Sequence, residues 1–189
     1  MSKIKILFLS FTIVLLSFLI FTLLRFPYER LLDKALKGLE KGGVKISYSE
    51  ANVEPFKLKA TFNDANIVTN LFNLRAKSLE GRLSVGELIF DFKVSVNLKL
   101  SSGDITLPAI PGIQIPFNEG RAVLERGKNS LKIGELYIRG SEILITGEID
   151  GKKYNLRIKP SGGVEKSLAP FLRLLQKDKE GFYNLRSEI

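Results

Sequence analysis

A run of 19 residues without a charge, from Ile6 to Leu24, constrains the fold of this chain more than any other feature. Fifteen of these residues are Leu, Ile, Val or Phe. An α-helix of this length is about 28 Å long, which is close to the thickness of the hydrocarbon core of a bilayer. We therefore predict a membrane anchor over residues 6–24, preceded by a short head at residues 1–5. The candidate membrane-contacting residues are Ile6, Phe11, Leu15, Phe18 and Leu24.

A cleaved signal peptide is the alternative interpretation of this run, because Lys3 and Lys5 precede it. The apolar stretch is longer than the usual signal-peptide core, and residues 24–27 offer no pair of small residues for cleavage. These features favour an uncleaved anchor. The flanking charges leave its orientation open, because cations stand on both sides of the run.

The composition of the 189 residues excludes several kinds of site. The chain has no Cys and no His, so it cannot form a disulfide, a thiolate nucleophile or an imidazole base. Its carboxylates are scattered, and no phosphate-binding or nucleophile motif occurs. We predict a protein that is not an enzyme and that uses no cofactor and no metal. The net charge of +9 favours anionic lipid or acidic partners, whereas nothing indicates nucleic acid binding.

Residues 25–43 predict a short amphipathic helix that ends at Gly42-Gly43. Its leucines fall on one side, and its charged residues fall on the others. Such a helix caps the core of the following domain or lies on the membrane surface.

From residue 44 to residue 189 the apolar period changes to two, which predicts antiparallel strands with one apolar and one wet face. Shorter examples cover residues 44–48, 56–62 and 72–76. The clearest example supplies the candidate apolar sheet face, which consists of Phe90, Phe92, Val94, Val96, Leu98 and Leu100. That face is either a closed core or a groove for a lipid chain or a partner strand.

Several features interrupt the alternation. Asn63-Asp64 and residues 102–104 are predicted to be turns. The three prolines of residues 107–117 predict an extended segment that crosses between two groups of strands. A C-terminal helix is expected near residues 165–177, with Ser167 as its cap and Pro170 in its first turn. The predicted fold is therefore mainly β: an N-terminal transmembrane helix, then a curved antiparallel sheet with two short flanking helices.

This arrangement resembles the type II secretion system protein N family of Gram-negative bacteria. The resemblance begins at Phe26-Pro27-Tyr28 and continues through residues 107–122. Its best part is the ending, with residues 156–160, a Leu-rich helix and residues 181–186. The chain departs from the family pattern by being shorter between about residues 50 and 102 and by ending at residue 189.

The resemblance implies a single-pass inner-membrane protein whose head at residues 1–5 is cytoplasmic and whose β domain lies in the periplasm. It implies an accessory or scaffold component of type II secretion, with inner-membrane lipid and other secretion components as its partners, and it brings no catalytic residue. The same layout resembles, more loosely, AsmA-like proteins, in which amphipathic strands hold acyl chains. Lipid binding or transfer is therefore the alternative function.

Overall fold

The structure is a computed structural model that describes residues 3–25, 30, 45–69, 72–84, 95–108, 112–126, 131–150 and 153–187. The chain divides into two compact units, residues 1–34 and 35–189. The first contains helix α1, Lys3–Arg25, of 23 residues. Among the described residues, no helix was found to be both long and apolar enough to cross a membrane, so the anchor stays a prediction. Except for Arg25 and Arg30, the amphipathic helix expected over residues 25–43 lies outside the described residues.

In its described ranges, the second unit forms a single antiparallel sheet of 13 strands. The strands are β1 Lys45–Ser47, β2 Glu50–Glu54, β3 Lys59–Val68, β4 Asn73–Leu83, β5 Ser95–Leu100, β6 Gly103–Thr106, β7 Gln114–Phe117, β8 Glu119–Arg126, β9 Leu131–Arg139, β10 Ile143–Asp150, β11 Lys153–Pro160, β12 Gln176–Lys177 and β13 Tyr183–Arg186. Helix α2, Gly162–Leu172, follows β11. The main path is β1-β3-β4-β5-β8-β9-β10-β11-β13-β12, while β2 joins β3, β6 joins β4 and β7 joins β6. This confirms the mainly antiparallel β prediction.

Three pairs of short strands are each one longer strand with a local interruption. Strands β1 and β2 both pair with β3 in one continuous register. Strands β5 and β6 pair with β4 in the same manner. Strands β7 and β8 continue one register along β6 and β5 in the same way. The core of the sheet is therefore a simple meander of long strands.

The interruptions line up across the sheet in one row, which we call the crease: Ser49, Asp64, Lys77, Ser102 and Asn118. Backbone hydrogen bonds join neighbouring strands at this row, with the Lys77 amide donating to the Ser102 carbonyl at 3.0 Å. The Ser49 hydroxyl donates to the Asp64 carboxylate at 3.0 Å. Asp64 itself has φ 49°, in the left-handed region. The irregular backbone is therefore shared by neighbouring strands and is not confined to one of them.

At the crease, the alternation of side chains between the two faces reverses. In β3, Phe62 and Ala65 are both buried, whereas the consecutive residues Asn63 and Asp64 are both exposed. A regular strand would place residues 62 and 65 on opposite faces. One additional outward residue in each strand therefore keeps the apolar side chains of both halves on the same face, in the way that a β-bulge re-aims side chains.

Two predicted turns lie at the crease and are not turns in the structure. Asn63-Asp64 lies inside β3, and residues 102–104 lie at the junction of β5 and β6. Polar residues and glycine occur there because the backbone is irregular, but the chain does not reverse direction.

The proline-rich segment is also not a crossing segment, because β7 returns antiparallel to β6. Among the described residues β7 pairs only with β6, so Pro116 occupies an edge position where its missing amide hydrogen is tolerated. The strand predicted over residues 56–62 is wrong at residues 56–58, because β3 begins at Lys59. Pro55–Lys57 forms a 3-10 turn, which leaves Phe56 66% and Leu58 41% exposed.

Helix α2 exists but begins and ends earlier than predicted. The Glu142 carboxylate accepts hydrogen bonds from the amides of Gly163 and Val164 at 3.0 and 3.1 Å. An acceptor there satisfies donors that the first helical turn leaves free. As a result, Ser167 is not the cap and Pro170 lies in the last turn.

Gly103 is expected to be intolerant of a side chain, because an added Cβ would overlap the backbone carbonyl oxygen of Arg75. Overpacking of this kind costs about 1–3 kcal/mol, so Gly103→Ala should lower the free energy of unfolding by that amount in denaturant titrations. Gly81→Ala is the matched control, since its Cβ would meet two side chains at 3.5 Å and no backbone atom closer than 4.0 Å. Equal effects of the two substitutions would contradict the backbone approach at Gly103.

Candidate interaction surfaces

Helix α1 exposes large apolar side chains on all sides. Phe11 is 65% exposed, Leu15 50% and Phe18 69%. Ile6 and Leu24 belong to the same helix, but their side chains lie outside the described part. The Thr22 hydroxyl donates to the Phe18 carbonyl at 2.8 Å, so this polar group is satisfied within the helix.

The candidate apolar sheet face is only partly described, since Phe90, Phe92 and Val94 fall outside the described residues. Leu100 is 7% exposed, whereas Leu98 and Val96, which are farther from the crease, are half-buried. The face is therefore closed beside the crease and more accessible toward the other end of β5.

The closed part follows one register row across the sheet. The cross-strand partners in this row are Phe62, Leu79, Leu100, Gly120, Ile138, Ile145 and Ile158. Five of the seven are buried apolar side chains and Gly120 is a buried glycine. Helix α2 adds the buried Val164, Leu168 and Leu172 to the core of this unit. Burial of these side chains, at about 1.5–3 kcal/mol each, is the main stabilisation of the sheet.

The opposite face carries charged clusters. One of them holds the β12–β13 hairpin to β11: the guanidinium of Arg157 donates to Asp178 at 2.8 Å and to Glu180 at 2.7 Å. The same guanidinium lies over the ring of Phe182, 4.4 Å from its centroid. Asp178 also accepts hydrogen bonds from the amides of Glu180 and Phe182, both at 2.9 Å. The cluster therefore fixes the hairpin loop and has a structural role.

The pKa values in this cluster follow from these bonds. Partial desolvation alone would raise the pKa of Asp178, but the hydrogen bonds from Phe182, Arg157 and Glu180 outweigh it and lower that pKa below its ordinary value. The pKa of Arg157 is raised, first by the hydrogen bond to Glu180 and then by the bond to Asp178. Both groups stay charged at neutral pH.

A second charged chain crosses β2, β3 and β4. The ammonium group of Lys59 lies 3.1 Å from Glu80 and 3.5 Å from Glu54. The hydrogen bond from Lys57 to Glu54, at 2.6 Å, lowers the pKa of Glu54. The hydrogen bond to Glu80 raises the pKa of Lys59. Exposed ion pairs of this kind contribute little to stability and keep this face wet.

No group of three or more acidic, His or Cys residues in the described ranges could hold a metal ion. The alternation in the sequence predicts that the charged residues lie on the wet face, but it does not predict the contact between Arg157 and Asp178. Their contact depends on the register of β11 with β13, and no local pattern encodes that register. Comparison of the chain with models of protein families, with curated proteins and with solved structures finds no significant match.

Two leucines of β5 test the gradient of burial along the apolar face. Leu100→Ala should lower the free energy of unfolding by about 2–5 kcal/mol, because it opens a cavity in a closed row. Leu98→Ala removes the same atoms from a half-buried site and should cost clearly less. Denaturant unfolding of both variants measures the difference. Equal losses would mean that the face is closed along the whole strand.

The lowered pKa of Asp178 predicts acid sensitivity. A carboxyl whose pKa is lower in the folded state contributes stability above its ordinary pKa of 3.8, and this stability is lost as the pH falls through the lower folded value. Asp178→Asn should unfold at a lower temperature than the wild type at pH 7. The difference between the two unfolding temperatures should shrink as the pH falls below 3.8. Curves that stay parallel down to pH 2 would show that the carboxylate is not stabilised by folding.

Proposed function

We propose that this chain is a membrane-anchored scaffold whose β domain makes protein–protein contacts in type II secretion. The observation that carries the proposal is the joining of an exposed apolar helix, α1, to an open antiparallel sheet whose described charged clusters are structural. We propose no catalytic role for any of these charged clusters. The resemblance to the protein N family is the basis for proposing type II secretion as the system and the periplasm as the location of the sheet.

Membrane attachment is supported by the sequence of α1 and by the exposure of its side chains. A helix that is apolar on all sides is stable in a buried or lipid environment and unfavourable in water. The uncharged run from residue 6 to residue 24 has the length that a bilayer needs. In this proposal the anchor spans the inner membrane once and holds the sheet close to it.

The partner contact is assigned to the edge formed by β1 and β2. Among the described residues, β1 and β2 pair only with β3, so the other side of these two strands has no described strand next to it. Such an edge presents free amide and carbonyl groups to an extended segment of another protein. At the other end of the sheet, β12 has two residues and offers a much shorter edge.

Lipid binding is the second candidate function, and one observation favours it. Val96 and Leu98 on the apolar face are half-buried, whereas Leu100 is closed. Partly accessible apolar rows of this kind can hold an acyl chain. Mass spectrometry of the purified full chain distinguishes the two functions, because stoichiometric acyl chains support lipid binding and their absence removes it.

Membrane attachment is tested by a charge in the helix. Phe18→Arg should release the chain from membranes under alkaline extraction, because an arginine at the centre of a spanning helix costs about 2.5–3.5 kcal/mol even on insertion scales. Phe56→Arg is the matched control, since it introduces the same change at a 66% exposed position of the sheet unit. Retention of the Phe18→Arg chain in the membrane pellet would contradict the anchor.

The secretion role is tested by site-specific photocrosslinking and by deletion. A photocrosslinker at Asn52, which is exposed on the β2 edge, should capture an inner-membrane secretion component. The same group at Asn97, which is exposed within the sheet, should not capture it. Export of the secreted enzymes should fall in a clean deletion strain. Normal export in that strain, or equal capture from both positions, would contradict the proposal.

A further inference from the structure

In the part of the chain that the structure describes, two cations face each other on the polar face, and neither of them forms an ion pair with an acid. Lys99 of β5 and Arg121 of β8 are direct register partners, and both are exposed. Directly opposed residues have Cβ atoms about 5 Å apart, and like charges at that distance destabilise a sheet. This arrangement lowers the stability of the domain unless an anion occupies the space between the two cations.

The neighbouring acids do not neutralise this pair. Glu80 is the register partner of Lys99 on its other side, but the Glu80 carboxylate lies 3.1 Å from Lys59 and 3.8 Å from Arg82. Neither Lys99 nor Arg121 forms a salt bridge with any residue in the described ranges. The two cations therefore keep their hydrogen-bond donors available.

The surrounding residues form a small site. The guanidinium of Arg121 lies over the Tyr137 ring, 4.6 Å from its centroid, and this stacking restricts its orientation. A cavity of about 320 Å³ is lined by Lys99, Arg121 and Tyr137, together with Glu119 and the chain at residues 100 and 120. This volume is at the lower end of ligand pockets and suits a small polar group.

We propose that Lys99 and Arg121 bind a phosphate group, with Tyr137 positioning the guanidinium. Arginine donates two parallel hydrogen bonds to phosphate, and lysine adds a point charge. The dianionic charge of a phosphomonoester is matched by the two cations, whereas Glu119 opposes the binding of any anion in the same cavity. The phosphate belongs to a soluble phosphomonoester or to a lipid headgroup, and these share the same chemistry.

Thermal unfolding of the full chain in uncharged detergent micelles tests the site, with chloride replaced by inorganic phosphate at constant ionic strength. The wild-type unfolding temperature should rise with phosphate. Lys99→Gln and Arg121→Gln should lose this rise, with affinity lower by about tenfold or more, because each removes a charge-assisted contact. Arg75→Gln, which removes an exposed cation beyond the crease, should keep it.

Two further variants separate binding from folding. In chloride alone, Lys99→Gln should unfold at or above the wild-type temperature, because it removes the repulsion from Arg121. Glu119→Gln should increase the phosphate response. A second titration with phosphatidic acid in the micelles identifies the source: a response to the lipid alone indicates a headgroup, and a response to inorganic phosphate indicates a soluble ligand. No response to either probe, or an unchanged response in Lys99→Gln and Arg121→Gln, would overturn the proposal.

Discussion

The two faces of this sheet stay chemically distinct because its strands reverse their alternation at the same register row. If one strand lacked the additional outward residue, its apolar side chains would point to the wet face on one side of the crease. The registers of these strands align Ser49, Asp64, Lys77, Ser102 and Asn118 in one row. This alignment keeps the buried side chains of Phe62, Leu79 and Leu100 on the same face as those beyond the crease. The buried core of β1 to β8 and the exposed position of the Lys59 cluster depend on this alignment.

The sequence predicts the strands well where the alternation is regular. Antiparallel pairing, the wet and apolar faces of β5 and the presence of a helix before the last strand all follow from local patterns. The crease does not, because Asn63-Asp64 and residues 102–104 have the composition of turns, and only pairing with the neighbouring strands shows that the chain continues straight. The start of α2 could not be predicted for a similar reason, since its cap is Glu142, which lies 20 residues before Gly162.

The surfaces also combine features that the local sequence pattern predicts with features that depend on pairing between strands. The alternation placed Val96, Leu98 and Leu100 on one face, but the difference in their burial arises from the crease and from neighbouring strands. The opposition of Lys99 and Arg121 likewise depends on the register between two strands, because these residues are 22 positions apart in the sequence. In the proposed account, α1 supplies attachment to the membrane, the β1–β2 edge supplies contact with a protein partner and the polar face supplies an anion site.

The most direct test of this account is the accessibility of single cysteines across the crease, which the absence of native cysteine makes possible. Four variants of the full chain, Phe62→Cys, Asn63→Cys, Asp64→Cys and Ala65→Cys, would be labelled with a hydrophilic maleimide under native conditions. The reversed alternation predicts rapid labelling at both central positions and protection at both outer ones. Alternating protection through all four positions would show that β3 is a regular strand and would contradict the shared crease.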